Sequence, residues 1–167
     1  GGGTPSYLDG KYIYQILNNI YNKYSLEKIE EITIEANPGT LNEEKLKIYK
    51  DLGINRISLG VQSLKDELLK NIGRAHTSVD FFRNYELIRK LGFSNVNIDL
   101  MFGLPNQTID DVIKTLEEAV RLGVEHISYY SLILEENTMM NKWYNEGKIS
   151  LPDEDIEREM YHRGISF

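Results

Sequence analysis

The sequence predicts an α/β fold of parallel strands joined by helices, and three observations carry that expectation. A Leu-Gly-apolar step recurs at Leu52-Gly53-Ile54, Leu91-Gly92-Phe93 and Leu122-Gly123-Val124. Each step closes a helix-like stretch and leads at once into a β-type run: Arg56 to Gly60, Val96 to Leu100, and His126 to Tyr130, with Ile32 to Ala36 as a fourth. Each run ends in polar or turn-forming residues: Asn37-Pro38-Gly39, Gln62-Ser63, Gly103-Leu104-Pro105-Asn106, Glu135-Glu136. Alternating β and α units imply parallel strands with crossover helices. Such sheets bind ligands at the carboxyl ends of their strands, so the polar strand ends are the place to look for function.

Taken in order, Tyr7 to Tyr24 predicts a helix with Leu8, Tyr12, Ile16, Ile20 and Tyr24 on one stripe, widened by Ile13 and Leu17. Glu31 to Ala36 is the first strand. Thr40 with Glu43 is a capping-box pattern for a helix running to Leu52, and Gly53 suits a left-handed cap. The hydroxyl-then-acid device recurs at Ser63 and Asp66, Thr77 and Asp80, Thr108 and Asp111. Two helices, about 66–72 and 79–91, flank an elbow at Gly73-Arg74-Ala75-His76. The 108–122 helix should bury Val112, Leu116, Ala119 and Val120. Beyond Glu136 the rhythm changes: a helix over 141–146, a connector over 147–152, and a further helix from Asp153. The opening Gly1-Gly2-Gly3 and the β-like close Ile165-Ser166-Phe167 predict that residues 1–167 are part of one larger domain, open at two sheet edges and prone to aggregate.

Bulk properties exclude several classes. The chain has 167 residues, 41% hydrophobic and 27% charged, with a net charge of −7. That balance argues against a general nucleic-acid surface, which needs a basic face. No apolar run is long enough to cross a bilayer, and no signal peptide is expected. The cysteine count is zero, so the chain offers no disulfide, thiolate ligand or thiol nucleophile. A cytoplasmic location is the expectation.

The candidate residues each carry two readings. Gly1-Gly2-Gly3-Thr4-Pro5 could bring backbone N–H groups close to a carboxylate or phosphate, or be an ordinary turn. Glu35, alternating with Thr33 against Ile32 and Ile34, could accept from a ligand hydroxyl or ammonium, or pair with an arginine. Gln62 offers donor and acceptor together, while Ser63 reads as a helix cap. Arg74 can fork onto a carboxylate or simply face solvent, and His76 reads as a satisfied loop histidine. Asp99 is out of place in an otherwise apolar parallel strand unless it faces a ligand or partner. Tyr129, Tyr130, Trp143 and Tyr144 read as packing. His126 and His162 have no companion at metal-ligand spacing. There is no nucleophile–base pair, Walker loop or metal cluster.

In order, Gly1-Gly2-Gly3-Thr4-Pro5-Ser6, Glu35-Ala36-Asn37-Pro38-Gly39-Thr40, Gly60-Val61-Gln62-Ser63, Gly73-Arg74 and Asn97-Ile98-Asp99-Leu100-Met101-Phe102-Gly103-Leu104-Pro105 resemble the radical S-adenosylmethionine proteins related to oxygen-independent coproporphyrinogen III oxidase. The resemblance implies a fragment of a partial (β/α)6 TIM-like barrel. It also implies a 4Fe–4S cluster on a three-cysteine loop that would lie upstream, so the fragment alone is expected to be inactive, to carry no iron and to bind S-adenosylmethionine poorly. By position, Gly2, Gly3, Thr4, Glu35, Gln62, Arg74 and Asp99 would line the S-adenosylmethionine pocket, and Ile133 matches a pocket position by spacing. Asn37-Pro38-Gly39-Thr40, Tyr130 to Thr138 and Leu151-Pro152-Asp153-Glu154-Asp155 look like the heme-chaperone branch rather than the oxidase branch. That branch implies heme and a heme-acceptor protein as partners of the parent. The rivals are a radical oxidoreductase acting on coproporphyrinogen III and an unrelated (β/α) barrel binding a phosphorylated metabolite.

Overall fold

The computed structural model describes residues 3–25 and 27–167. A 3₁₀ turn (Pro5–Tyr7) precedes α1 (Gly10–Tyr21). There follow β1 (Thr33–Ala36), α2 (Glu43–Asp51), β2 (Arg56–Gln62), α3 (Asp66–Asn71), α4 (Ser78–Lys90), β3 (Asn95–Phe102), α5 (Ile109–Leu122), β4 (His126–Ser131), α6 (Met139–Asn145) and α7 (Glu154–Ile165). The four strands form one parallel sheet in the order β1-β2-β3-β4, with outer helices. The β1–β2 register pairs Glu35 with Ser58 and Ala36 with Leu59. All four sequence-derived strands are present, and β2 and β3 run further than their apolar runs suggested.

The three Leu-Gly steps end helices as expected, because Gly53, Gly92 and Gly123 all take positive φ, where a Cβ would be strained. β2 is buried at every position from Ile57 to Gln62, the pattern of a strand covered on both faces. In β1, buried Ile34 and Ala36 alternate with exposed Thr33 and Glu35.

Two compact units are present. The first comprises residues up to Val61, Val79–Ile98 and Val124–His126, with Leu46, Tyr49, Ile57, Leu59, Phe81 and Ile88 fully buried. The second comprises Gln62–Ser78, Asp99–Gly123 and Ile127–Phe167, around Leu68, Leu69, Leu104, Ala119 and Met160.

Several expectations are corrected. The first helix does not run through Tyr7. The chain leaves the 3₁₀ turn extended at Leu8, and Asp9 caps α1 by accepting from Lys11 N at 3.0 Å. Its five-residue stripe is exposed; of the residues that widen it Ile13 is buried as expected, together with Gly10, which the stripe did not include. Thr40 does not cap α2. Asn42 does, accepting from Lys45 N at 2.8 Å. Ser63 accepts from Lys65 N at 3.1 Å but lies two residues before the cap position of α3, which Lys65 occupies. The Thr108–Asp111 capping box is present in full. Val112, Leu116 and Ala119 are buried as expected, whereas Val120 is exposed. Ile165 closes α7 and is not part of a strand.

Candidate functional site

Within the first unit, the structure joins two motifs that lie far apart in sequence. Ser6 is fully buried, and its hydroxyl shares a 2.5 Å hydrogen bond with Thr40 Oγ1 while accepting from Asn37 N at 3.3 Å. Asn37 Nδ2 donates to Thr4 Oγ1 at 3.0 Å. The Lys45 ammonium donates to the carbonyls of Ser6 at 2.7 Å and Thr40 at 3.1 Å. Asn84 Oδ1 accepts from Gly39 N at 2.8 Å, and its Nδ2 donates to Leu41 O at 3.3 Å. The glycine-rich turn is thereby fixed to the turn that follows β1. Thr40 is drawn away from helix capping because its hydroxyl donates to Asn37 O at 2.7 Å and pairs with Ser6.

One consequence is that Gly3, Thr4 and Glu35 line a single cavity of about 860 Å³. Most of its remaining wall is apolar, from Ile13, Ile16, Leu17, Ile32, Ile34 and Ile54. Gly3 has φ +82° and nothing near where a Cβ would sit, so backbone conformation, not crowding, demands glycine. Glu35 has no hydrogen bond or ion pair among the described residues, so the arginine-paired reading of it is not realised here. Gly2 lies outside the described residues. Lower on the strands, Asn97 Nδ2 donates to Ser58 Oγ at 2.8 Å, and Asn97 Oδ1 meets His126 Nδ1. His126, itself exposed, is thus the outer member of a polar chain whose other two members, Ser58 and Asn97, are buried.

In the second unit, Gln62 ends β2 with φ +66°, uncommon for a residue with a Cβ. Its side chain is only 3% exposed, and Tyr130 Oη donates to its Oε1 at 3.1 Å. Tyr130, expected to pack, is therefore 41% exposed and hydrogen-bonded. Tyr129 does pack, its ring 4.7 Å from Phe102 and its hydroxyl donating to Met160 O at 2.8 Å. Burial pushes the Tyr129 phenol well above its ordinary pKa. Arg74 follows Gly73, whose φ is +71°, and its N–H closes the elbow onto Leu69 O at 2.9 Å. His76 is buried. Asp99 is half-buried and alternates with buried Ile98 and Leu100. Ile133 lies two residues beyond the end of β4 and is 70% exposed.

Gln107 was not singled out from sequence. Its buried amide accepts from Leu104 N at 3.0 Å and donates to Met101 O at 3.0 Å, setting the Gly103-Leu104-Pro105 turn after β3. A second pocket of about 580 Å³ holds Lys65, Lys70, Lys148 and Trp143.

The donor set separates the two cofactors of the resemblance. No group of three or more His, Cys, Asp or Glu able to hold a metal occurs among the described residues, and the chain has no cysteine. These residues do not fit an iron–sulfur cluster. Within the first unit Glu35 opens onto a cavity without a protein counter-ion, and within the second Gln62 keeps amide N–H groups without a protein acceptor among the described residues, donors and acceptors of the kind an amino acid or a ribose engages.

The sequence pattern of the Radical SAM superfamily matches residues 1–119. The chain belongs to the radical SAM superfamily. It is 44% identical over 161 residues to the heme chaperone HemW of Lactococcus lactis, covering 96% of this chain and 42% of that protein. It is 41% identical over 162 residues to HemW of Bacillus subtilis, covering 96% and 43%. The Escherichia coli coproporphyrinogen III oxidase HemN, a radical SAM enzyme, superposes with a TM-score of 0.84 at 27% identity, covering all of this chain and 38% of that one. The four-stranded sheet is thus a fragment of a radical SAM TIM-like barrel. Membership overturns the unrelated phosphometabolite barrel. The chain spans about two fifths of the curated relatives it matches. No helix among the described residues is long and apolar enough to cross a membrane.

Proposed function

We propose that this chain is the S-adenosylmethionine-binding part of a heme chaperone. The observation that carries the reading is identity of 38–44% to heme chaperones of four bacteria across at least 96% of the chain, against 27% to the coproporphyrinogen III oxidase.

Each residue has a role that its chemistry suits. Gly3 offers its backbone N–H at a conformation open to close approach, and Thr4 offers a hydroxyl held by Asn37. Gly2, by sequence alone, would extend the same turn. Glu35 and Asp99 would accept from ribose hydroxyls or the ammonium, since an ionised carboxylate only accepts. Arg74 would fork onto the methionine carboxylate. Gln62 would donate to a ligand oxygen or ring nitrogen. Ile133 would offer an apolar surface to the adenine. The chemistry that S-adenosylmethionine would supply with a reduced cluster is the superfamily's radical chemistry. This chain holds no cluster ligands, and its own residues bind and orient the cofactor.

Heme, and a protein that receives it, are the partners this reading assigns to the complete gene product. The test is to titrate heme into that product anaerobically and follow the Soret band, then supply coproporphyrinogen III under reducing conditions. Saturable heme binding without decarboxylation supports the proposal. Turnover of coproporphyrinogen III would replace it with the oxidase reading, which the HemN superposition makes the natural second choice.

A further inference from the structure

We propose that Tyr130 is the positioning residue for Gln62, fixing the Gln62 amide so that it meets S-adenosylmethionine as a hydrogen-bond donor. This rests on the reading above that Gln62 contacts the cofactor.

The argument starts from what a buried amide requires. A glutamine carboxamide carries one acceptor oxygen and two N–H donors, and the two ends have nearly the same shape. With nothing to distinguish them, the group can flip and present either to a ligand. Gln62 is only 3% exposed, so solvent cannot satisfy both ends equally well. A phenol O–H donates readily, and Tyr130 Oη lies 3.1 Å from Oε1. That contact makes Oε1 the occupied end and leaves Nε2 as the end without a protein partner among the described residues. Nor is Nε2 sealed in the core: Tyr49 Oη is the one fully enclosed side-chain polar atom lacking a partner among the described residues.

The backbone points the same way. Gln62 stands at the carboxyl end of β2 in the left-handed region, at φ +66°. A non-glycine residue is strained there, because its Cβ crowds the neighbouring carbonyl. The turn sets where the side chain leaves the strand, and Tyr130, one residue before the end of β4, sets how its amide is rotated. The strand-end position is where ligands of parallel α/β sheets bind. The 41% exposure of Tyr130 shows that its ring is not held there by core packing.

The experiment measures S-adenosylmethionine affinity by anaerobic calorimetry on the complete gene product, native and with Gln62→Ala, Tyr130→Phe, both together, and Gln62→Glu. Loss of a neutral hydrogen bond corresponds to about a two- to tenfold change in Kd. Tyr130→Phe should weaken binding about threefold or more with the thermal midpoint unchanged. In the Gln62→Ala background it should add nothing, because its effect runs through the amide. Gln62→Glu still accepts from Tyr130 but has lost both donors, so it should bind no better than Gln62→Ala. It also keeps Tyr130 in place should the phenylalanine variant fold poorly.

If Gln62→Ala binds normally, the cofactor role of Gln62 falls and this inference falls with it. If Gln62→Ala weakens binding but Tyr130→Phe does not, or if their effects simply add, the role of Gln62 stands and the positioning role of Tyr130 is overturned. Native-like affinity in Gln62→Glu would show that the ligand uses the oxygen, contradicting the assigned orientation.

Discussion

Replacing Gly164 with alanine should destabilise the protein, although helix propensity alone says the opposite. Gly164 lies one residue from the end of α7, and alanine is favoured over glycine inside a helix by about 1 kcal/mol. A Cβ at Gly164, however, would stand 2.6 Å from Tyr129 Cζ and 2.8 Å from its hydroxyl, with Cε1 nearer still. An aromatic ring cannot bend away from such a contact, so Tyr129 must move as a whole. Overpacking of this kind costs about 1–3 kcal/mol. Displacing the ring also breaks the 2.8 Å bond from Tyr129 Oη to Met160 O, worth about 1 kcal/mol, and disturbs its contact with Phe102. The balance is a loss of about 2 kcal/mol. Urea denaturation with an unchanged m-value would measure it. In a Tyr129→Ala background the obstacle is gone, and Gly164→Ala should become neutral or stabilising by up to about 1 kcal/mol. A stabilising Gly164→Ala with Tyr129 intact would refute the packing argument.

Tyr49 Oη is buried with no hydrogen-bond partner among the described residues, so Tyr49→Phe should raise stability by about 1 kcal/mol, and a loss of that size in denaturant would disprove it. Lys45→Met keeps the stem but removes two charge-assisted bonds to the Ser6 and Thr40 carbonyls. It should lose about 2 kcal/mol by urea melt, and a change below about 0.5 kcal/mol would mean that this clamp is not holding the two turns together. Burial is the largest influence on the Asp111 carboxyl and raises its pKa, but the Lys65 ammonium and the Thr108 hydrogen bonds together outweigh it and hold the pKa below the usual aspartate value. A lowered folded-state pKa gives stability that is present above the unfolded value near pH ~4 and lost as pH falls through the folded one. Native protein and Asp111→Asn should therefore differ by about 1 kcal/mol at neutral pH and converge in acid; a gap that persists at pH ~2 would contradict the assignment.

The strands and the glycine-closed helices were legible because their signals are local. A Leu-Gly-apolar step and a β-branched run report on their own few residues. The errors arose where a distant segment decides the outcome. The apolar stripe of α1 is amphipathic in sequence, yet besides Ile13 the helix buries Gly10, where a Cβ would approach Ile48 Cδ1 of α2 to 2.7 Å. No periodicity weights a glycine as an inward position. Thr40 has a sound capping pattern, but its hydroxyl is claimed by Asn37 O and by Ser6, 34 residues away. The site residues were found as motif members, each with a chemistry. That Thr4, Ser6, Asn37, Thr40 and Lys45 form one hydrogen-bonded framework could not be read from spacing, since it spans the interval between two turns. Tyr130 is not legible as a hydrogen-bonding residue, because an aromatic in a strand looks the same whether its hydroxyl meets water or an amide.

The most direct measurement is anaerobic calorimetry of S-adenosylmethionine with the complete gene product, its cluster reconstituted, comparing native protein with Glu35→Gln. Glu35 has no protein partner among the described residues and lines the cavity with Gly3 and Thr4, so the substitution disturbs little else. The account predicts saturable one-site binding by the native protein. It predicts about a tenfold or greater loss in Glu35→Gln, in line with a hydrogen bond to a charged group, at an unchanged unfolding midpoint. Absence of binding in the native protein, or equal affinity in the two, would contradict it.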